Sequence, residues 1–186
     1  MATVIDICNF ALDKLGHGSI TSTNDGTKAA DLCKRNWDLV RDQVLRDHPW
    51  NFATKRYVTS PVVASPVWGF SYEHPLPSDY LRLLEIKLLS TGEYVIEGKS
   101  ILSNESALYL RYIARVIDPT QYDALFLDAV SSRLAFELCE ALTQSNTKKE
   151  QLWNQYEDAL VRARRVDAQE NPPSFFEESD WIKVRY

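Results

Sequence analysis

His48-Pro49-Trp50-Asn51-Phe52-Ala53 divides this 186-residue chain into two kinds of sequence. Upstream, apolar residues recur at helical spacing. Downstream, as far as Arg115, period-two runs replace that spacing, and Pro61, Pro66, Pro75 and Pro77 interrupt them. The reason for a break here is steric, because Pro49 disfavours helical backbone at His48 and so ends any helix arriving from the N-terminal side. Trp50 and Phe52 would then pin that helix end to the core, and a buried Trp50 needs a partner for its indole N–H.

Working back from the break, Ala30, Cys33, Trp37, Val40 and Val44 are spaced three and four apart, which predicts a helix over 26–47. Lys34, Arg35, Asp38, Arg41 and Asp42 fall mostly on its other, solvated side. A polar loop, 17–25, precedes it. Before the loop, Val4, Ile5, Cys8, Ala11, Leu12 and Leu15 share one face, with Thr3 as N-cap and Gly16 placed to end the helix.

Working forward, residues 81–89, 94–96, 100–103 and 107–116 read as strands. Ser90-Thr91-Gly92 and Gly98-Lys99 supply turns between them. In the last strand Leu108, Leu110, Tyr112 and Ala114 take one face, and Tyr109, Arg111, Ile113 and Arg115 the other. Together they predict an antiparallel meander, and Leu76-Pro77-Ser78-Asp79-Tyr80-Leu81-Arg82 reads as a turn entering a strand. Helical spacing returns at Asp118-Pro119-Thr120-Gln121, which has the form of a capping box. Leu125, Ala129, Ser132, Leu134, Phe136 and Leu138 carry that helix to about Thr143. Thr147-Lys148-Lys149-Glu150 is a second such box, opening a helix to Ala168, so the last two helices form an antiparallel hairpin. The expected fold class is α+β, mainly α. Four main helices (1–49 and 117–170) form a bundle, 50–116 is an inserted antiparallel β-rich subdomain, and 171–186 is an extended C-terminal tail.

That tail follows the breaker Asn171-Pro172-Pro173 and carries Phe175, Phe176, Trp181, Ile182 and Tyr186. A segment this aromatic needs a surface to bury it. It either folds back over its own core or docks on another subunit, since aromatics are enriched at interface centres.

Composition narrows the function. With 45% hydrophobic and 25% charged residues the chain is an ordinary globular one. Its net charge of −5 argues against a broad nucleic-acid grip, which needs clustered Lys and Arg. Cys8, Cys33 and Cys139 contain no CxxC pair and read as free buried thiols. Residues 1–15 lack the form of a signal peptide. No apolar stretch approaches the roughly 20 residues needed to span a bilayer, so cytosol-like conditions are expected.

No catalytic template is met. HExxH, the P-loop, GxGxxG and GxSxG are all missing from the sequence. His17, His48 and His74 are isolated and read as surface or capping residues. Glu93 with Glu97, or Glu137 with Glu140, could stand at the carboxylate separation that glycosidases use. With 26 acidic residues in the chain, many pairs could. No cofactor or metal site is expected.

Several segments, taken in order, resemble one family. They are Lys14-Leu15-Gly16, Ile20-Thr21-Ser22, the helix ending at Arg46, His48-Pro49-Trp50-Asn51-Phe52-Ala53, Trp68, Leu76-Pro77 with Asp79-Tyr80-Leu81-Arg82, Arg111-Tyr112-Ile113 before Asp118, and a hairpin with Leu134-Ala135 and Leu142-Thr143. This set is similar to the tail tubular protein A family of short-tailed bacteriophages, related to the head-to-tail adaptors of other tailed phages, and covers the chain to about Glu170.

The resemblance implies a structural, non-enzymatic protein of the virion tail or neck, assembled in the host cytoplasm. Such proteins form a ring, typically of twelve copies, beneath the portal protein. They extend the DNA channel and seat the tail nozzle protein, while duplex DNA passes through the lumen without sequence-specific contacts. His48, Pro49, Trp50, Phe52, Pro77, Asp79, Leu81 and Arg82 are the motif residues, with a structural role. The docking role of Phe175, Phe176, Trp181, Ile182 and Tyr186 corresponds by position only. Two other readings stand beside this one. A peptidoglycan-cleaving tail component would use a carboxylate pair such as Glu93 and Glu97. A small DNA-binding protein would show salt-dependent binding to duplex DNA, against which the net charge speaks.

Overall fold

A computed structural model describes residues 2–62, 66–87 and 93–170. The first helix, α1 (Val4–Leu15), begins where the sequence places it. Thr3 accepts from the Asp6 backbone N–H at 3.2 Å while the Asp6 carboxylate accepts from the Thr3 N–H at 2.8 Å. Gly16 ends it in the left-handed region at φ 73°, where a residue without a Cβ is unstrained. Helix α2 (Lys28–Asp47) is capped by Thr27 and stops at His48, whose backbone is extended as the following proline requires.

Two helix starts differ from expectation. Residues Pro119–Gln121 form only a 3-10 turn under the Asp118 cap, and α3 (Ala124–Thr143) begins after it with Asp123 as N-cap. Tyr122 explains the interruption. Its ring packs on Phe52 and Phe126, and its hydroxyl donates to the Val116 carbonyl at 2.7 Å, which holds the chain out of the helix at that point. Helix α4 (Asn146–Gln169) is capped by Ser145 rather than Thr147. Gln144 adopts φ 53° and reverses the chain within one residue, so the second helix can start at once.

Helix α3 packs against α1, α2 and α4. A helix flanked on three sides must be apolar over most of its girth, and Phe126, Val130, Leu134, Ala135, Leu138 and Cys139 are all buried. The three cysteines are free and buried as expected. Arg41 corrects the sequence reading of α2, because it is only 4% exposed. Its guanidinium reaches Asp38 at 2.7 Å and Asp42 at 2.8 Å, and Asp42 also accepts from Arg115 at 2.7 Å. A buried charge is tolerated because its donors are paired.

The insert is two three-stranded antiparallel sheets rather than one meander. The first has the order β1 (Thr54–Thr59), β6 (Leu108–Ala114), β3 (Tyr80–Lys87). The second has the order β2 (Tyr72–Pro75), β5 (Ser100–Ser103), β4 (Tyr94–Glu97). The β4–β5 hairpin around Gly98-Lys99 matches the sequence reading. Strands β1 and β2 do not appear in that reading, and the Ser90-Thr91-Gly92 turn lies outside the described residues. Leu108, Leu110 and Tyr112 of the first sheet pack on Ile101 of the second with Tyr80, Leu83 and Ile86, making a small core separate from that of the bundle.

Strand β3 serves both cores through two irregularities. Its register against β6 shifts between Tyr80 and Arg82 and again between Leu83 and Glu85. Each shift inserts one residue and re-aims its side chain. Tyr80, Leu83 and Ile86, three apart, therefore face the small core, while Leu81 and Leu84 join the bundle core.

Candidate functional site

The motif residues of the sequence come together at the junction between bundle and insert. Trp50 is 1% exposed, and its indole N–H donates to the Val44 carbonyl at 2.9 Å. That carbonyl lies in the last turn of α2, where backbone acceptors lack a full set of intrahelical partners. The Trp50 and Phe52 rings meet Phe126 at centroid distances of 5.1 Å and 5.0 Å, both edge to face. The expected pinning of the helix end is thus present, and the indole partner is identified.

His48 and Asn51 bind Asp167 in the last turn of α4. His48 Nε2 lies 3.1 Å from Asp167 Oδ2, the Asn51 backbone N–H donates to Oδ1 at 3.0 Å, and the Asn51 amide donates to the Asp167 carbonyl at 2.7 Å. Burial lowers the His48 pKa, which Asp167 only partly opposes. Sequence reasoning missed Asp167, although a signal was there. An aspartate in the last turn of a helix opposes the helix dipole, so it needs specific donors to offset that cost.

On the insert side, Arg46 donates to the Leu81 carbonyl and Arg82 donates back to the Arg46 carbonyl at 2.8 Å. These reciprocal bonds clamp α2 to β3. Asp79 receives Lys55 at 2.7 Å and the Tyr112 hydroxyl at 2.9 Å. Burial raises the Asp79 pKa, but these two donors outweigh it and the net shift is downward. Pro77 closes the turn before β3 through its carbonyl, which accepts from the Tyr80 N–H at 3.0 Å.

His74 corrects the expectation of a surface histidine. It is fully buried between the sheets, with Nδ1 2.8 Å from the Thr59 hydroxyl and Nε2 2.9 Å from the Glu105 carbonyl. Of the carboxylate pairs, Glu137 is bound to Arg133 and Glu140 to Lys149, each at 2.6 Å. Glu93 and Glu97 are both exposed. Among the described residues no group of three or more His, Cys, Asp or Glu is placed to hold a metal ion.

Three exposed regions remain. Between α1 and α3, Phe10, Ala124 and Leu127 line an apolar groove edged by the Lys14–Asp128 ion pair, with Phe10 49% exposed. On the outer side of the second sheet, a loop projects Val67 and Trp68, 100% and 85% exposed. Ser71 anchors that loop to Asn104 at 3.0 Å. The outer face of the first sheet carries Arg56, Val58, Glu85, Lys87, Tyr109 and Arg111 around a shallow depression. Phe175, Phe176, Trp181, Ile182 and Tyr186 lie outside the described residues. Among the described residues no helix is long and apolar enough to cross a membrane. No protein-family model matches the chain, and no curated protein matches it.

Proposed function

We propose that this chain is a structural head-to-tail adaptor of a tailed bacteriophage, a ring-forming subunit that sits beneath the portal, extends the DNA channel and seats the tail nozzle. The observation that carries the reading is the presence of unlike apolar features on different parts of one subunit. A ring of identical copies needs a heterologous interface, in which one surface of each subunit fits a different surface of the next. The projecting Val67-Trp68 loop and the Phe10–Leu127 groove have that complementary character, a knob and a recess. The motif residues support the same reading from a different side. They knit insert to bundle through buried aromatics and charged hydrogen bonds, which suits a part that must hold its shape under the pressure of packaged DNA.

The test is the solution mass of the purified protein, alone and mixed with the portal protein of the same phage. A stable ring, or a monomer that joins the portal stoichiometrically, is the expected result. A monomer indifferent to portal would overturn the reading. Lysis of cell-wall substrate, abolished by Glu97→Gln, would instead favour the peptidoglycan-cleaving alternative.

A further inference from the structure

The outer face of the first sheet is basic in a chain whose net charge is −5. Arg56, Lys87 and Arg111 stand on it against a single carboxylate, Glu85, which pairs with Arg111 at 3.0 Å. No carboxylate pairs with Arg56 or Lys87 among the described residues. Val58 and Tyr109 lie between these charges and are both exposed. The register places Arg56 beside Arg111 and Val58 beside Tyr109, with Glu85 and Lys87 on the far strand, so the six side chains share one surface.

The end of α4 lies at the rim of this surface. Asp167 and Ala168 share a depression with Thr54, Leu84 and Arg111, the residues at the bundle end of the same sheet. The chain beyond Glu170 therefore starts beside the basic face. Its residues 175–181 read Phe175-Phe176-Glu177-Glu178-Ser179-Asp180-Trp181, three carboxylates set among three aromatics. At about 3.3 Å per residue, extended chain from Glu170 can reach about 17 Å by Phe175 and about 36 Å by Trp181. The sheet from the Ile113 row to the Tyr109 row runs only about 14 Å, so the segment is long enough to lie across it.

We propose that residues 175–181 dock on the outer face of the first sheet of their own subunit. Glu177, Glu178 and Asp180 meet Arg56, Lys87 and Arg111, and the aromatics cover Val58 and Tyr109. The short tether makes the contact effectively intramolecular, at an effective concentration in the millimolar range that a separate copy or partner must exceed to compete. The docked segment would shield both its own aromatics and the basic face in the free subunit, and release on assembly would expose both together. This does not depend on the adaptor reading, since it concerns the single chain and the ring test concerns many.

The test is cross-linking in the full-length protein carrying Val58→Cys and Ser179→Cys, followed by non-reducing mass analysis. The expected product is an internal cross-link at monomer mass. Reversing the face with Arg56→Glu and Lys87→Glu should cut its yield at least several-fold. Because both side chains are exposed and form no ion pair among the described residues, that variant should keep its fold, checked by circular dichroism. Adding Glu177→Lys and Glu178→Lys should restore the yield. Absence of the internal cross-link, cross-links only between copies, or a yield indifferent to both charge reversals would each overturn the proposal.

Discussion

Trp50 and Trp68 bracket the first strand of the insert and are put to opposite uses. Trp50 is buried, stacked on Phe52 and edge to face with Phe126, and its one polar atom is bonded to the end of α2. Trp68 stands on a projecting loop with nearly all its surface in water. The difference separates side chains that hold the fold from side chains the fold leaves for something else. Around Trp50, the His48 Nε2, the Asn51 backbone N–H and the indole N–H each have a named partner. Around Trp68 and the basic sheet face, the described residues leave apolar area and positive charge open, and burial of that kind of surface is what drives association.

Alanine substitution at the two positions should break them apart. Removing a buried tryptophan costs about 3–5 kcal/mol of stability, so Trp50→Ala should be near the limit of what a domain with about 5–15 kcal/mol can lose. Trp68→Ala should change stability by no more than about 0.5 kcal/mol, the usual range for surface sites. Denaturant unfolding of both variants measures the contrast. Comparable losses would mean that Trp68 is part of the folded core and the comparison is wrong.

The bundle is far more legible in sequence than the insert, for physical reasons. Thr3, Gly16 and Pro49 act locally, through one cap or one forbidden backbone angle, so α1 and the end of α2 can be read from neighbours alone. The β-rich insert depends on pairings between distant strands. Strand β1 shows no apolar alternation because four successive residues, Lys55 to Val58, are exposed, so neither face is buried along most of its length. Strand β2 is four residues long and ends in Pro75, tolerable because it lies at a sheet edge. In β3 the two register shifts turn a period of two into a period of three, at Tyr80, Leu83 and Ile86. A bulge leaves no mark that one sequence can reveal.

The same holds for the candidate site. Trp50 and Phe52 announce themselves as core aromatics, but Asp167, which anchors the residues beside them, is over a hundred residues away in the chain. Arg41 reads as solvated because helical spacing alone cannot tell an exposed charge from one buried in an ion-pair cluster.

A smaller effect sharpens the picture at the junction. Asp167→Ala leaves the Asn51 N–H and the His48 ring without their carboxylate acceptor. Leaving such donors unpaired costs about 1–3 kcal/mol, less than losing Trp50 but well above a surface change. Asp167→Asn should recover part of it, because an amide oxygen can still accept one of the two bonds. If Asp167→Ala unfolds no earlier than the natural protein, the α4 end is not a working anchor.

The smallest predicted effect is a change in slope. Burial lowers the His48 pKa from its ordinary 6.5, with Arg164 and Arg82 adding to the shift and Asp167 opposing it. A histidine depressed in the folded state binds protons more readily when unfolded, so stability rises with pH in the window between the two values. The contribution is fully present above about pH 6.5 and is lost as pH falls through the folded value. His48→Gln keeps a polar side chain but cannot titrate, so its stability should fall less steeply than that of the natural protein as pH drops from neutral through that window. Parallel slopes would mean that His48 keeps its ordinary affinity for protons at the junction, and that Asp167 holds the charged ring as well as water does.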